Sequence, residues 1–106
     1  MAWFALLMAG LLEVVWSYSM KLSNGFRAPT PTIITVIAMI VSFSLLAYAM
    51  RSLPLGTAYI IWTGIGAVGA FLVGFIFLHE PMSWLRILAA CFIITGMVLM
   101  KVTTHA

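Results

Sequence analysis

Four apolar runs alternate with three short polar breaks along the 106 residues, and each run is long enough to cross a bilayer. The pattern predicts helices over residues 2–20, 32–50, 57–78 and 84–101, in a single transmembrane domain spanning 1–106. The first break, Lys21-Leu22-Ser23-Asn24-Gly25-Phe26-Arg27-Ala28-Pro29-Thr30-Pro31, carries Asn-Gly and two prolines as turn signals. The second, Ser52-Leu53-Pro54-Leu55-Gly56, is tight, and the third is His79-Glu80-Pro81-Met82-Ser83. The fold class is therefore an all-α membrane protein with four transmembrane helices per chain.

One position breaks the apolar pattern in mid-span. Glu13 is the only charged side chain between Met1 and Met20. An acid at that depth costs at least about 2.5–3.5 kcal/mol on insertion scales, so it faces the protein interior or a water-filled cavity and has a task there. At 3.6 residues per turn it shares a face with Leu6, Gly10, Trp16 or Ser17, and Met20. Gly10 is expected to leave a notch one turn before the acid. Trp16 and Ser17, one turn after it, are expected to supply an aromatic wall and hydrogen-bonding groups.

Composition supports this picture. Hydrophobic residues make up 65% of the chain and charged ones 7%, too apolar for a short soluble domain. The net charge of +3 comes from residues scattered at the ends of the apolar runs. They read as interfacial anchors, not as the clustered patch that nucleic-acid binding needs. No basic residue precedes the first run, which is read as retained and not as a signal peptide. Cys91 is the only cysteine, so no intrachain disulfide forms. His79 and Glu80 lack a third ligand nearby and read as a surface histidine and an exposed loop acid, with no metal site. No nucleophile–base pair is visible, so an enzyme is not expected.

Ser42 lies at mid-span in the second helix, where its hydroxyl either bonds back to its own helix or serves the site beside Glu13. Tyr59 and Trp62 stand one turn apart on the third helix, on a face continuing through Gly66. Gly64 and Gly66 weaken that helix enough to act as a hinge, and Gly66, Ala70 and Gly74 allow close packing. In the fourth helix Ala89, Phe92 and Gly96 mix small and large residues, as a helix–helix contact does. Lysine and arginine are nearly balanced across the membrane. Arg51 and Lys101 share one side with the N-terminus, against Lys21, Arg27 and Arg86 on the other. Orientation is then almost unbiased, and two oppositely inserted copies would supply an inverted repeat, with a parallel dimer left open.

These residues resemble the small multidrug resistance family of proton-coupled exporters over essentially the whole chain. The resemblance rests on Glu13, on Lys21-Leu22-Ser23-Asn24-Gly25-Phe26, and on Gly56-Thr57-Ala58-Tyr59-Ile60-Ile61-Trp62-Thr63-Gly64-Ile65-Gly66. Gly10 and Glu13-Val14-Val15-Trp16 are similar to its guanidinium-exporter branch. The resemblance implies an antiparallel, dual-topology homodimer in the bacterial inner membrane, in which the two Glu13 carboxylates alternately bind protons and substrate. It also implies that Trp16 and Ser42 hold the Glu13 carboxylate, that Tyr59 gates and links the protomers, and that Trp62 walls the site. The family's fourth-helix dimer motif often has glycine at both ends, whereas Ala89 and Gly96 occupy those positions here.

Guanidinium is small and planar, and its N–H donors match paired carboxylate oxygens. A quaternary ammonium has none to donate and relies on aromatic faces. The site residues suit the first better. The expected partners are guanidinium or small organic cations, protons, membrane lipid and a second copy of the chain, with no cofactor. A broad-specificity multidrug exporter and a non-transporting membrane adaptor subunit are the competing readings.

Overall fold

The computed structural model describes residues 1–104; His105 and Ala106, the end of the expected 1–106 domain, lie outside the described residues. Four helices follow in order: α1 (Ala2–Leu22), α2 (Pro29–Ala49), α3 (Leu55–Phe77) and α4 (Trp84–Val102). All four are long and apolar enough to cross a membrane.

α1 and α4 begin where the apolar runs suggest, whereas α2 and α3 begin two or three residues earlier, for reasons local to each end. Proline lacks an N–H, and the first turn of a helix has no partner for one, so Pro29 opens α2 with Ala28 as its N-cap. Thr32 and Thr35 return their hydroxyls to the carbonyls of Ala28 and Pro31, at 2.7 and 2.8 Å. Pro54 is the N-cap of α3, and the Ser83 hydroxyl caps α4 by accepting from the Arg86 N–H at 3.3 Å. The α1–α2 break turns through three successive left-handed residues, Asn24, Gly25 and Phe26, with φ of 52, 71 and 67°. Asparagine and glycine tolerate that region well and phenylalanine poorly. The Ser23 hydroxyl steadies the turn by accepting from the Phe26 N–H at 3.0 Å while donating to the Met20 carbonyl at 2.6 Å.

The molecule is a slab of 43 × 34 × 16 Å, little more than one helix diameter thick. α1 is its centre and packs against both α2 and α3; α4 packs along α3. At its C-terminal end α4 also meets α1, where the Lys101 ammonium stands 5.0 Å over the Trp3 ring. Between α1 and α3 the contact is close because glycines remove side chains from the seam. A Cβ at Gly10 would stand 2.6 Å from the Cγ2 of Ile65. Gly69 receives Val14 and Gly66 receives Glu13 in the same way.

α3 runs as one continuous helix through Gly64 and Gly66. Two positions apart, these glycines point to opposite sides: Gly64 faces Met97 of α4, and Gly66 faces α1. Their observed role in this conformation is close packing on two flanks. No residue of α4 is buried, and the space beside Gly96 is open. Ala89 and Phe92 are exposed too.

Candidate functional site

Glu13 lies mid-helix on α1, with its side chain laid against Gly66 of α3. Any larger residue at 66 would put its Cβ into the carboxyl group. The Oε1 atom of Glu13 is buried and has no hydrogen-bond partner among the described residues. One helical turn on, the Trp16 indole N–H is buried and equally unpartnered. Buried polar atoms are nearly always paired, so one unpaired acceptor and one unpaired donor a helical turn apart single this stretch of α1 out as the candidate site.

Around this pair, three helices are tied together by one serine. The Ser42 hydroxyl of α2 donates to the Ala9 carbonyl of α1 at 2.7 Å and accepts the Trp62 indole N–H of α3 at 3.0 Å. Ser42 is completely buried and Trp62 is 7% exposed. Ser42 thus bonds across helices and not back into its own. Its proton is committed to Ala9, so the carboxylate-holding role implied for Ser42 is not what this conformation contains. Trp16 likewise makes no hydrogen bond to Glu13.

Aromatic rings form the wall. Trp16 meets Phe43 edge-on at 6.2 Å between centroids, Phe43 meets Trp62 at 5.7 Å, and Trp62 meets Tyr59 at 5.7 Å. The row starts one turn from the acid and ends at Tyr59, which is 52% exposed. Tyr59 also borders a groove between α3 and α4 that Phe92 and Gly96 help to line. Phe43 is the member that sequence reasoning missed. Its signal was adjacency to Ser42, an aromatic ring at mid-span, but only the tertiary packing shows that it bridges the two tryptophans.

Two expected supporting residues are placed differently. The notch at Gly10 is filled by Ile65, so Gly10 serves helix packing. The Ser17 hydroxyl donates to the Val14 carbonyl at 3.0 Å within its own helix, which leaves it no proton for the carboxylate. Glu80 also departs from expectation. It is half-buried and folded back against Gly74, not an exposed loop acid, whereas its neighbour His79 is exposed. Thr95 returns its hydroxyl to the Cys91 carbonyl of its own helix at 2.8 Å.

A half-buried acid with one buried, unpaired oxygen beside π-faces can accept N–H donors or a proton, and aromatic faces attract a cation besides. Comparison with known proteins narrows the class. A family profile described as Small Multidrug Resistance protein matches residues 1–93. A guanidinium exporter of Citrobacter freundii is 52% identical over 105 residues, 99% of this chain and 100% of the relative. The guanidinium exporters of Salmonella typhimurium and Escherichia coli (strain K12) are 52% and 51% identical over the same spans. These relatives are transporters, not enzymes. Four membrane-crossing helices, one mid-span acid and matches along nearly the whole chain lead to one conclusion: the chain belongs to the small multidrug resistance family, as a multi-pass protein of the bacterial inner membrane.

Proposed function

We propose that the protein exports guanidinium and small guanidinyl or quaternary ammonium cations in exchange for protons, with proton and substrate competing for Glu13. The observation that carries this reading is the buried, unpartnered Oε1 of Glu13 beside the aromatic row. The names of the full-length relatives support guanidinium as the substrate. Guanidinium offers N–H donors in a plane, and a carboxylate accepts two of them side by side. Trp16, Ser42, Tyr59 and Trp62 complete the binding residues. Ser42 acts by holding Trp62 in place, and the free Trp16 N–H is a donor available to the carboxylate when the acid is ionised.

The working unit is an antiparallel, dual-topology homodimer. An unburied α4 with open space at Gly96 supports a second copy there, packed through Ala89, Phe92 and Gly96. The near balance of lysine and arginine across the membrane supports insertion in both directions. Tyr59 gates the site and links the protomers, a role supported by its contact with Trp62 and its position on the α3–α4 groove. Gly64 and Gly66 provide the hinge in α3 for alternating access.

A broader multidrug specificity is the second reading, favoured by the ring row itself, because aromatic faces bind cations that have no N–H. Purified protein in proteoliposomes under a pH gradient separates these readings. Guanidinium and methylguanidinium should exchange well, tetramethylammonium less, and tetraphenylphosphonium poorly. Ready exchange of tetraphenylphosphonium without guanidinium would reverse the substrate assignment. No exchange of any cation would favour the adaptor reading.

A further inference from the structure

The seam between α1 and α3 continues past Glu13 to a second carboxylate. On α1, Glu13, Ser17 and Lys21 follow at four-residue intervals; on α3, Gly66, Ala70 and Gly74 repeat that spacing. Each row keeps to one face of its helix, and its ends lie about 12 Å apart at 1.5 Å per residue. Gly66 holds the Glu13 side chain at one end, and Gly74 holds Glu80 at the other. Glu80 arrives there because His79, with φ of 57°, turns the chain back and lets the Glu80 N–H bond the Gly74 carbonyl at 3.0 Å. A cleft of about 210 Å³ opens between the two helices at this point, lined by Ser17, Tyr18, Lys21, Val73, Gly74 and Glu80. It is several times the ~30 Å³ share of one water.

We propose that Glu80 and this cleft form an outer site for guanidinium-class cations, at the end of the seam that leads to Glu13; the inference rests on the export reading above. The donor–acceptor chemistry fits. Two Glu80 oxygens match a planar pair of N–H donors. Tyr18 and Ser17 also line the cleft, and the Ser17 oxygen is left as an acceptor because its proton is spent on the Val14 carbonyl. Lys21 sets the affinity. It lines the same cleft, and its positive charge opposes an incoming cation, so occupancy is weak and exchange with Glu13 is quick. Ser17 stands one helical turn, about 6 Å, from Glu13, so the outer cation has a short path inward. A half-buried carboxylate at the mouth of a cleft also raises the local concentration of cations, and added salt weakens that effect.

The test uses the full chain in proteoliposomes, with initial rates of guanidinium exchange measured against concentration at low and high ionic strength. Glu80→Gln should raise KM threefold or more at low salt and by less than twofold at high salt, with the saturating rate within twofold of wild type. Glu80→Asp should stay near wild type, and Lys21→Gln should lower KM. A tie that merely anchors the third loop would instead lower the saturating rate and leave the salt response unchanged. In the Glu13→Gln protein, which lacks the central carboxylate, guanidinium should still shift the Gly74 and Glu80 amide resonances saturably, and added Glu80→Gln should abolish the shift. Wild-type exchange with unchanged KM in both Glu80→Gln and Lys21→Gln would overturn the outer site and leave the export reading standing. If Glu80→Gln fails to assemble, Lys21→Gln decides: a KM that does not fall overturns the outer site. Absence of wild-type exchange would overturn the export reading and the outer site together.

Discussion

Ser42 accepts the indole N–H of Trp62 at 3.0 Å while donating to the Ala9 carbonyl at 2.7 Å. One hydroxyl therefore fixes the orientation of the site's tryptophan and ties α2 to both α1 and α3. Interhelical hydrogen bonds in membranes average about 0.6 kcal/mol, with ~1.7 kcal/mol as the upper end. Ser42→Ala removes two at once and leaves a buried N–H unpaired. It should lower stability by about 1–2 kcal/mol, measured by thermal denaturation in detergent. Guanidinium KM should rise several-fold as Trp62 loosens. A Ser42→Ala protein with both unchanged would remove the serine from the site.

Gly66 is the residue that makes room for the acid. A methyl group there falls on the Glu13 carboxyl, whereas the space beside Gly56 is open. Gly66→Ala should therefore cut guanidinium exchange tenfold or more while the protein still folds and inserts. Gly56→Ala, one end of the same helix, should exchange within twofold of wild type. Equal rates for the two variants would contradict the placement of Glu13 against Gly66.

Proton and cation compete for one carboxylate in the proposed mechanism. Raising the proton concentration should therefore raise the apparent KM for guanidinium and leave the number of binding sites unchanged, as read by titration at several pH values. Glu13→Gln should abolish pH-driven exchange and retain the helical circular dichroism signal. Normal exchange by that variant would end the mechanism.

The α4 surface gives a prediction about assembly. Among the described residues of one chain nothing lies within 4 Å of a Cβ at Gly96, so Gly96→Trp has room in the isolated protomer. It should fold as a helical membrane protein and fail to dimerise, as seen by crosslinking and by mass in detergent. A full-strength dimer would move the interface off this face.

Dual topology has its own test. Two or three lysines added to one loop should force a single orientation and reduce exchange. Co-expression with the oppositely biased variant should restore it. Full activity from uniformly oriented protein would rule out the antiparallel arrangement.

The one-dimensional pattern determined the four spans, the small-residue faces and the place of Glu13 as the one charged side chain inside the first span. Those follow from length, apolarity and the cost of a mid-membrane acid, all of which are local properties of the chain. Helix ends were less legible, because Pro29 in the first turn looks like a break in a hydropathy pattern and like a start in three dimensions. Side-chain partnership was decided only by the tertiary structure. Ser42, Trp62 and Phe43 come from α2 and α3, and nothing in their spacing says that the serine bonds Ala9 and the tryptophan, or that Phe43 bridges Trp16 to Trp62. Gly10 and Ser17 share the face of Glu13 by periodicity, yet Ile65 fills the one and Val14 takes the proton of the other. Periodicity assigns a residue to a face of its own helix. What meets that face depends on the rotation and register of the neighbouring helix, which is a property of the packed assembly.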